Sequence, residues 1–268
     1  MFLIGLILLM VGAFAGFMAG LLGIGGGIII VPSVYMILKY FGIAQDEAML
    51  MAVGTSMMVM IPTACSSSYA HMKAKAVQFD KVRKWALLII FGVVFGGYIA
   101  SKTPEPFLVV IYSSYMFIIA VLFFYKANFG SSDIKEIKLL HILEYPIVVV
   151  IGVLSALFGI GGGTFSVPFM NGLGITFKKS IATAAMIGVL IAVPGGLNYM
   201  LIGRDVAYEP FLLNVGYVSF MCVFMIFPTS IFTAYWGGKM VHIIPERIIK
   251  NSFACLLIIV AIKMMMTL

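Results

Sequence analysis

The chain has 268 residues, 63% of them hydrophobic and only 10% charged, with a formal net charge of +7. Soluble domains run near a quarter charged, so these values exclude an ordinary soluble domain and indicate an all-α polytopic membrane protein. The excess of basic charge reports lysines at membrane edges, not a nucleic-acid partner. The three cysteines, Cys65, Cys222 and Cys255, lie in apolar segments without C-x-x-C spacing. A disulfide framework and a structural zinc site are therefore not expected, and no cofactor is either.

In chain order, Met1 to Leu22 predicts a first membrane helix. Its opening, MFLIGLILLM, lacks the basic leader of a signal peptide and is too long in its apolar run to be one. Gly23-Ile24-Gly25-Gly26-Gly27 interrupts the helix, and Ile28 to Tyr40 predicts a shorter returning arm that ends near Lys39, Asp46 and Glu47. Crossings follow at Ala48 to Ala70, Trp85 to Ser101 and Phe107 to Tyr125. They are joined by a basic loop with Lys73, Lys75, Lys81, Arg83 and Lys84, and by the turn Lys102 to Pro106. The polar stretch 126–144 is a linker between an N-terminal repeat, 1–125, and a C-terminal repeat, 145–268. The second repeat has an arm from Tyr145 to Phe158, the same pentapeptide at Gly159-Ile160-Gly161-Gly162-Gly163, and a returning arm from Thr164 to Phe177. Crossings at Ser180 to Gly203, Pro210 to Gly238 and Asn251 to Leu268 complete it.

The doubled pentapeptide sets the expectations about mechanism. Four glycines in five residues hold a regular helix poorly, because each costs roughly 1 kcal/mol relative to Ala. Only 33 uncharged residues separate Glu144 from Lys178, whereas one full crossing takes roughly 20. A glycine-broken hairpin that dips into the membrane and returns fits that length better than two crossings. A hairpin plus three crossings is an odd number, so the second repeat re-enters from the opposite side: two inverted-topology repeats, each with a glycine-broken hairpin plus three transmembrane helices. The basic residues of 73–84, 126–138, 178–179 and 239–250 then fall on one side and Lys39, Lys102, Arg204 and Lys263 on the other, 13 against 4. The positive-inside rule makes the first side cytoplasmic and puts both termini outside. The simpler reading of the glycines is close helix packing, but Gly12, Gly16 and Gly20 already form a small-xxx-small ladder for that purpose.

Apart from Lys263 in the last one, no Asp, Glu, Lys or Arg falls inside an expected crossing, and His71 lies near a cytoplasmic exit. Membrane-depth proton relays and proteolytic centres are built from ionisable groups, so an enzyme is not expected. What remains is neutral. A helix that restarts after a glycine break offers free N–H groups and about half a positive charge, which is an anion site made of backbone. The candidate binding residues are Gly23, Gly25, Gly26 and Gly27 at the first break and Gly159, Gly161, Gly162 and Gly163 at the second. Thr55, Ser56, Ser66 and Ser67 are candidate side chains in the first repeat, and Thr164, Thr183 and Asn198 in the second. Each hydroxyl has the alternative of bonding back to a carbonyl one turn earlier. Cys65 is a candidate soft contact for sulfur, or a small hydrophobe.

The paired segments LLGIGGGIIIVP at Leu21 to Pro32 and LFGIGGGTFSVP at Leu157 to Pro168, with Gly54-Thr55-Ser56 on the next crossing, resemble the TauE/SafE sulfite-exporter family over nearly the whole chain. The resemblance implies movement of sulfite, sulfoacetate or related organosulfonates across the bacterial inner membrane, usually outward, with a second copy of the chain as a candidate partner. Two other readings stand beside it. One is import of thiosulfate or another sulfur species with Cys65 taking part. The other is a membrane assembly partner that transports nothing.

Overall fold

The computed structural model describes residues 2–128, 137–206, 213–241 and 243–266. The centre of the expected linker, the start of the expected Pro210 to Gly238 crossing and the extreme ends of the chain lie outside the described residues. Hydrocarbon offers backbone amides no partner, so a spanning segment closes its hydrogen bonds within a helix, and the described chain is nearly all helical. In order come α1 (Phe2–Leu22), α2 (Gly27–Tyr40), α3 (Gln45–Lys73), α4 (Phe79–Lys102), α5 (Glu105–Asn128), the short α6 (Lys138–Ile142), α7 (Glu144–Phe158), α8 (Gly163–Gly172) and α9 (Phe177–Ile202). A small hairpin of β1 (Asn214–Val215) and β2 (Val218–Ser219) precedes α10 (Phe220–Met240) and α11 (Glu246–Met265).

Among the described residues seven helices, α1, α3, α4, α5, α9, α10 and α11, are long and apolar enough to cross a membrane. The protein is therefore a multi-pass membrane protein. α7, with 15 residues, and α8, with 10, are shorter. At 1.5 Å per residue they reach roughly 22 and 15 Å, less than a bilayer core of about 30 Å. Neither is long enough to cross alone, whereas α1, with 21 residues, is.

Two expected boundaries are corrected. Residues 213–219 are not helical, because the chain turns at Gly216 (φ 57°) and pairs Asn214 with Ser219 and Val215 with Val218. The hydroxyl of Ser219 then accepts from the N–H of Cys222, 3.4 Å away, and caps α10. The returning arm of the second hairpin stops at Gly172, not Phe177. Gly174 takes the left-handed conformation (φ 83°) two residues later and releases the chain into α9.

Long-range packing falls into matched pairs. α1 lies along α10 and α7 along α4, while α3 packs on α9 and α5 on α11. Small residues set the closest of these. Gly12, Gly16 and Gly20 of α1 lie against the carbonyls of Ile226, Ser230 and Ala234 on α10, with no room for a Cβ. Between α4 and α7, a Cβ on Gly92 would sit 3.1 Å from the Cα of Gly152, and one on Gly152 would sit 3.0 Å from the Cα of Gly92. Without a hydrophobic drive between helices in lipid, such close backbone approach supplies the association. At its polar end this second pair is tied by charge. Lys81 Nζ lies 2.6 Å from Glu144 Oε1, and the indole N–H of buried Trp85 donates to the same oxygen over 2.8 Å. Burial pushes the Glu144 carboxyl up, but the hydrogen bonds from Lys81 and Trp85 and the nearby positive charge outweigh it and hold its pKa below the ordinary value.

Gly16→Ala forces a methyl group onto the Ser230 carbonyl, and overpacking of this kind costs about 1–3 kcal/mol. The variant is expected to unfold at a lower temperature than wild type in detergent, with a much smaller change for Gly5→Ala, where the added atom would lie 3.8 Å from the Met225 sulfur, an ordinary van der Waals contact. A depressed carboxylate pKa stabilises the fold fully above its ordinary value of 4.5 and loses that contribution as the pH falls below it. The melting temperature is therefore expected to fall as the pH drops below 4.5, and Glu144→Gln to remove that part of the fall.

Candidate functional site

Both glycine breaks are buried and they abut. The N–H of Gly161 donates to the Ile24 carbonyl across the junction over 3.0 Å. A Cβ on Gly25 would lie 3.2 Å from the Cα of Gly161. The contact is reciprocal: the start of α2 at Gly27 is pressed on the Gly159 carbonyl, and the start of α8 at Gly163 on the Gly23 carbonyl. In neither place is there space for a side chain.

The two breaks are also built alike. Gly26 (φ 82°) and Gly162 (φ 74°) occupy the cap positions of α2 and α8 in the left-handed conformation, which glycine adopts without a Cβ penalty. The Gly26 carbonyl accepts from Ile29 and Ile30, and the Gly162 carbonyl from Phe165 and Ser166. The N–H groups one and two residues into each helix, Gly27 and Ile28 in α2 and Gly163 and Thr164 in α8, have no partner among the described residues. These are the groups that a helix start leaves over. Here they are buried, and they carry the positive end of the helix dipole.

The arms that run into the breaks are capped from neighbouring helices. His71 Nε2 on α3 lies 3.1 Å from the Gly20 carbonyl at the end of α1. The Tyr199 hydroxyl on α9 donates to the Ala156 carbonyl at the end of α7 over 2.9 Å. Gly20 stands three residues before the first GIGGG and Ala156 three before the second, so the same job is done by a histidine on one side and a tyrosine on the other. Both side chains are fully buried. Sequence reading missed them, because two unlike residues do not register as a repeat.

Of the candidate side chains, Ser56 belongs to the junction, where its hydroxyl donates to the Gly159 carbonyl over 2.8 Å. Thr164 does too, in the first turn of α8 with a buried Oγ1 that has no hydrogen-bond partner. Thr55 and Thr183 are buried at helix contacts instead. Thr55 Oγ1 accepts from the Ser219 N–H over 2.9 Å, and Thr183 Oγ1 from the Gln78 N–H over 3.0 Å. Ser219 and Gln78 are the cap residues of α10 and α4, so these two threonines serve matching structural ends. Asn198 donates to the Val94 carbonyl and joins α9 to α4, and Ser66 donates to the Ile231 carbonyl on α10. Ser67 is buried, and Cys65 is exposed on α3. Two residues not singled out in the sequence stand beside the second break. Ser155 Oγ lies 3.3 Å from where a side chain on Gly162 would begin, and Tyr115 reaches Thr164 from α5.

The family described as sulfite exporter TauE/SafE matches residues 8–264. A protein of Haemophilus influenzae is 31% identical over 98% of this chain and 99% of its own length. YunE of Bacillus subtilis is 27% identical over 96% of this chain and 94% of its own, and a protein of Methanocaldococcus jannaschii is 24% identical over 97% and 95%. Each carries the name probable membrane transporter protein. No solved structure matches the chain.

The Tyr199→Phe variant leaves the Ala156 carbonyl with only the longer bond from the Gly159 N–H, at 3.4 Å. A loss of about 1 kcal/mol is expected, read as a lower melting temperature in detergent. An unchanged value would mean that the cap contributes nothing.

Proposed function

Because this chain belongs to the TauE/SafE family and is a membrane transporter of it, we propose that it carries small sulfur-containing anions, namely sulfite, sulfoacetate or related organosulfonates, outward across the bacterial inner membrane. The anion binds near the membrane midplane on the backbone N–H groups of the two GIGGG breaks. One observation carries this reading: the unpaired N–H groups of Gly27, Ile28, Gly163 and Thr164 start two helices whose ends are pressed on each other's break. Two dipole ends at one place favour negative charge, and the glycines let oxygens approach the chain closely.

The alternation of access rests on the repeat. In this reading 1–125 and 145–268 are inverted-topology halves joined by a cytoplasmic linker at 126–144, with both termini outside. The packing supports it. Exchanging α1 with α7, α3 with α9, α4 with α10 and α5 with α11 returns the main long-range pairings, α1 on α10 becoming α7 on α4 and α3 on α10 becoming α9 on α4. Rocking one half against the other around a fixed site is how such repeats work. Cys65, exposed on α3, gives no support to a reading in which its thiol meets the substrate.

Purified protein in liposomes is expected to give saturable flux of labelled sulfite. Gly161→Ala, whose methyl would sit 2.7 Å from the Ile24 carbonyl, is expected to lower that flux roughly tenfold or more, a change of about 1.4 kcal/mol. The variant must keep the wild-type elution profile in size-exclusion chromatography. Wild-type protein that moves no sulfur oxyanion would overturn the reading.

A further inference from the structure

The two breaks share a backbone plan but not a lining. Ser155 stands four residues before Gly159 in α7, and the equivalent place before Gly23 holds Ala19. Thr164 is the second residue of α8, and the second residue of α2 is Ile28. Ser155 and Thr164 are 0% and 1% exposed, and neither Oγ has a hydrogen-bond partner among the described residues. The same holds for the buried hydroxyl of Tyr115, which lies beside Thr164 without completing a hydrogen bond. The Tyr115 ring is stacked between Phe158, at 5.1 Å, and Phe165, at 4.5 Å, so the hydroxyl cannot swing away. On the other side, the Tyr112 hydroxyl is already spent on the Ile28 carbonyl over 3.3 Å.

Buried polar groups in native proteins are almost always paired. Three unpaired hydroxyls around one helix start, next to two unpaired N–H groups, therefore mark a place for a guest with several acceptor oxygens. The charge that this place tolerates also follows. Hydroxyls and amides are neutral, and among the described residues no Lys or Arg is buried. His71, the buried group near the junction that can become cationic, sits on Gly20 at the other break. Born solvation grows with the square of the charge, so a dianion loses about four times the hydration energy of a monoanion on entering, and nothing here repays it.

We propose that the second break alone is the head-group site, and that it takes a singly charged sulfonate-type oxyanion. The N–H groups of Gly163 and Thr164 and the hydroxyls of Ser155, Thr164 and Tyr115 hold its oxygens, while the first break forms the opposing wall. This rests on the anion-carrier reading above and narrows it. Sulfate, which carries both charges on one head group, is a poor guest.

Binding to the purified full chain in detergent at neutral pH tests this with methanesulfonate and sulfate as probes. Methanesulfonate is expected to bind at least tenfold more tightly than sulfate. Ser155→Ala, Thr164→Val and Tyr115→Phe are each expected to weaken methanesulfonate binding about tenfold, the loss of one hydrogen bond to a charged group, and Thr164→Ser to keep it. Melting temperatures identify any variant that is not folded. Should Thr164→Val be such a variant, Ser155→Ala and Tyr115→Phe decide. Wild-type affinity in the folded variants, or equal affinity for sulfate, overturns the inference, and so does sulfite flux without methanesulfonate binding. Absence of flux of any sulfur oxyanion in liposomes would instead overturn the carrier reading.

Discussion

A chain that stops being helical inside hydrocarbon exposes amides that no water can reach, and it persists only where other protein covers them. Here the two interruptions cover each other. The N–H of Gly161 meets the Ile24 carbonyl, Gly27 presses on Gly159, and Gly163 presses on Gly23. Each interruption is tenable because the other is there, which is why glycine is needed at both. Backbone against backbone leaves no thickness for even a methyl group. The arrangement spends some of its donors on this mutual support and keeps two at each helix start in reserve.

The helices around the junction hold it in register with side chains that cap carbonyls and amides at matching points. His71 and Tyr199 close the ends of the arms, and Thr55 and Thr183 receive the N–H groups of the cap residues just before α10 and α4. The hydroxyls are thus of two kinds. Those bound to backbone fix where α3 and α9 stand, and of those left unbound three, Ser155, Thr164 and Tyr115, stand at α8, while Ser67 lies on α3. A buried polar group is costly unless it is paired, so the second kind is the more informative about function.

Much of this was legible in the sequence. Charge spacing marked most of the crossings, and the GIGGG pair marked where the helices break. The Gly12, Gly16 and Gly20 ladder announced a close helix contact, which proved to be with α10. The helix boundaries near Gly172 and Phe220 were not legible, because an apolar run looks the same whether it is helix or the buried approach to one. Nor were the roles of individual hydroxyls. Thr55 is 164 residues from the amide that it receives, and Tyr199 is 43 from the carbonyl that it caps. Periodicity carries no information about which residue a helix will face. Thr55 and Thr183 were picked out for their chemistry, and they turned out to be positioned by geometry that only the folded chain has.

The returning arms differ in length. α2 has 14 residues and α8 has 10, a difference of about 6 Å along the axis. The second break therefore lies nearer the far end of its returning arm than the first does. Twin motifs have been set on unequal stems, so the likeness of the two breaks does not extend to the arms that leave them.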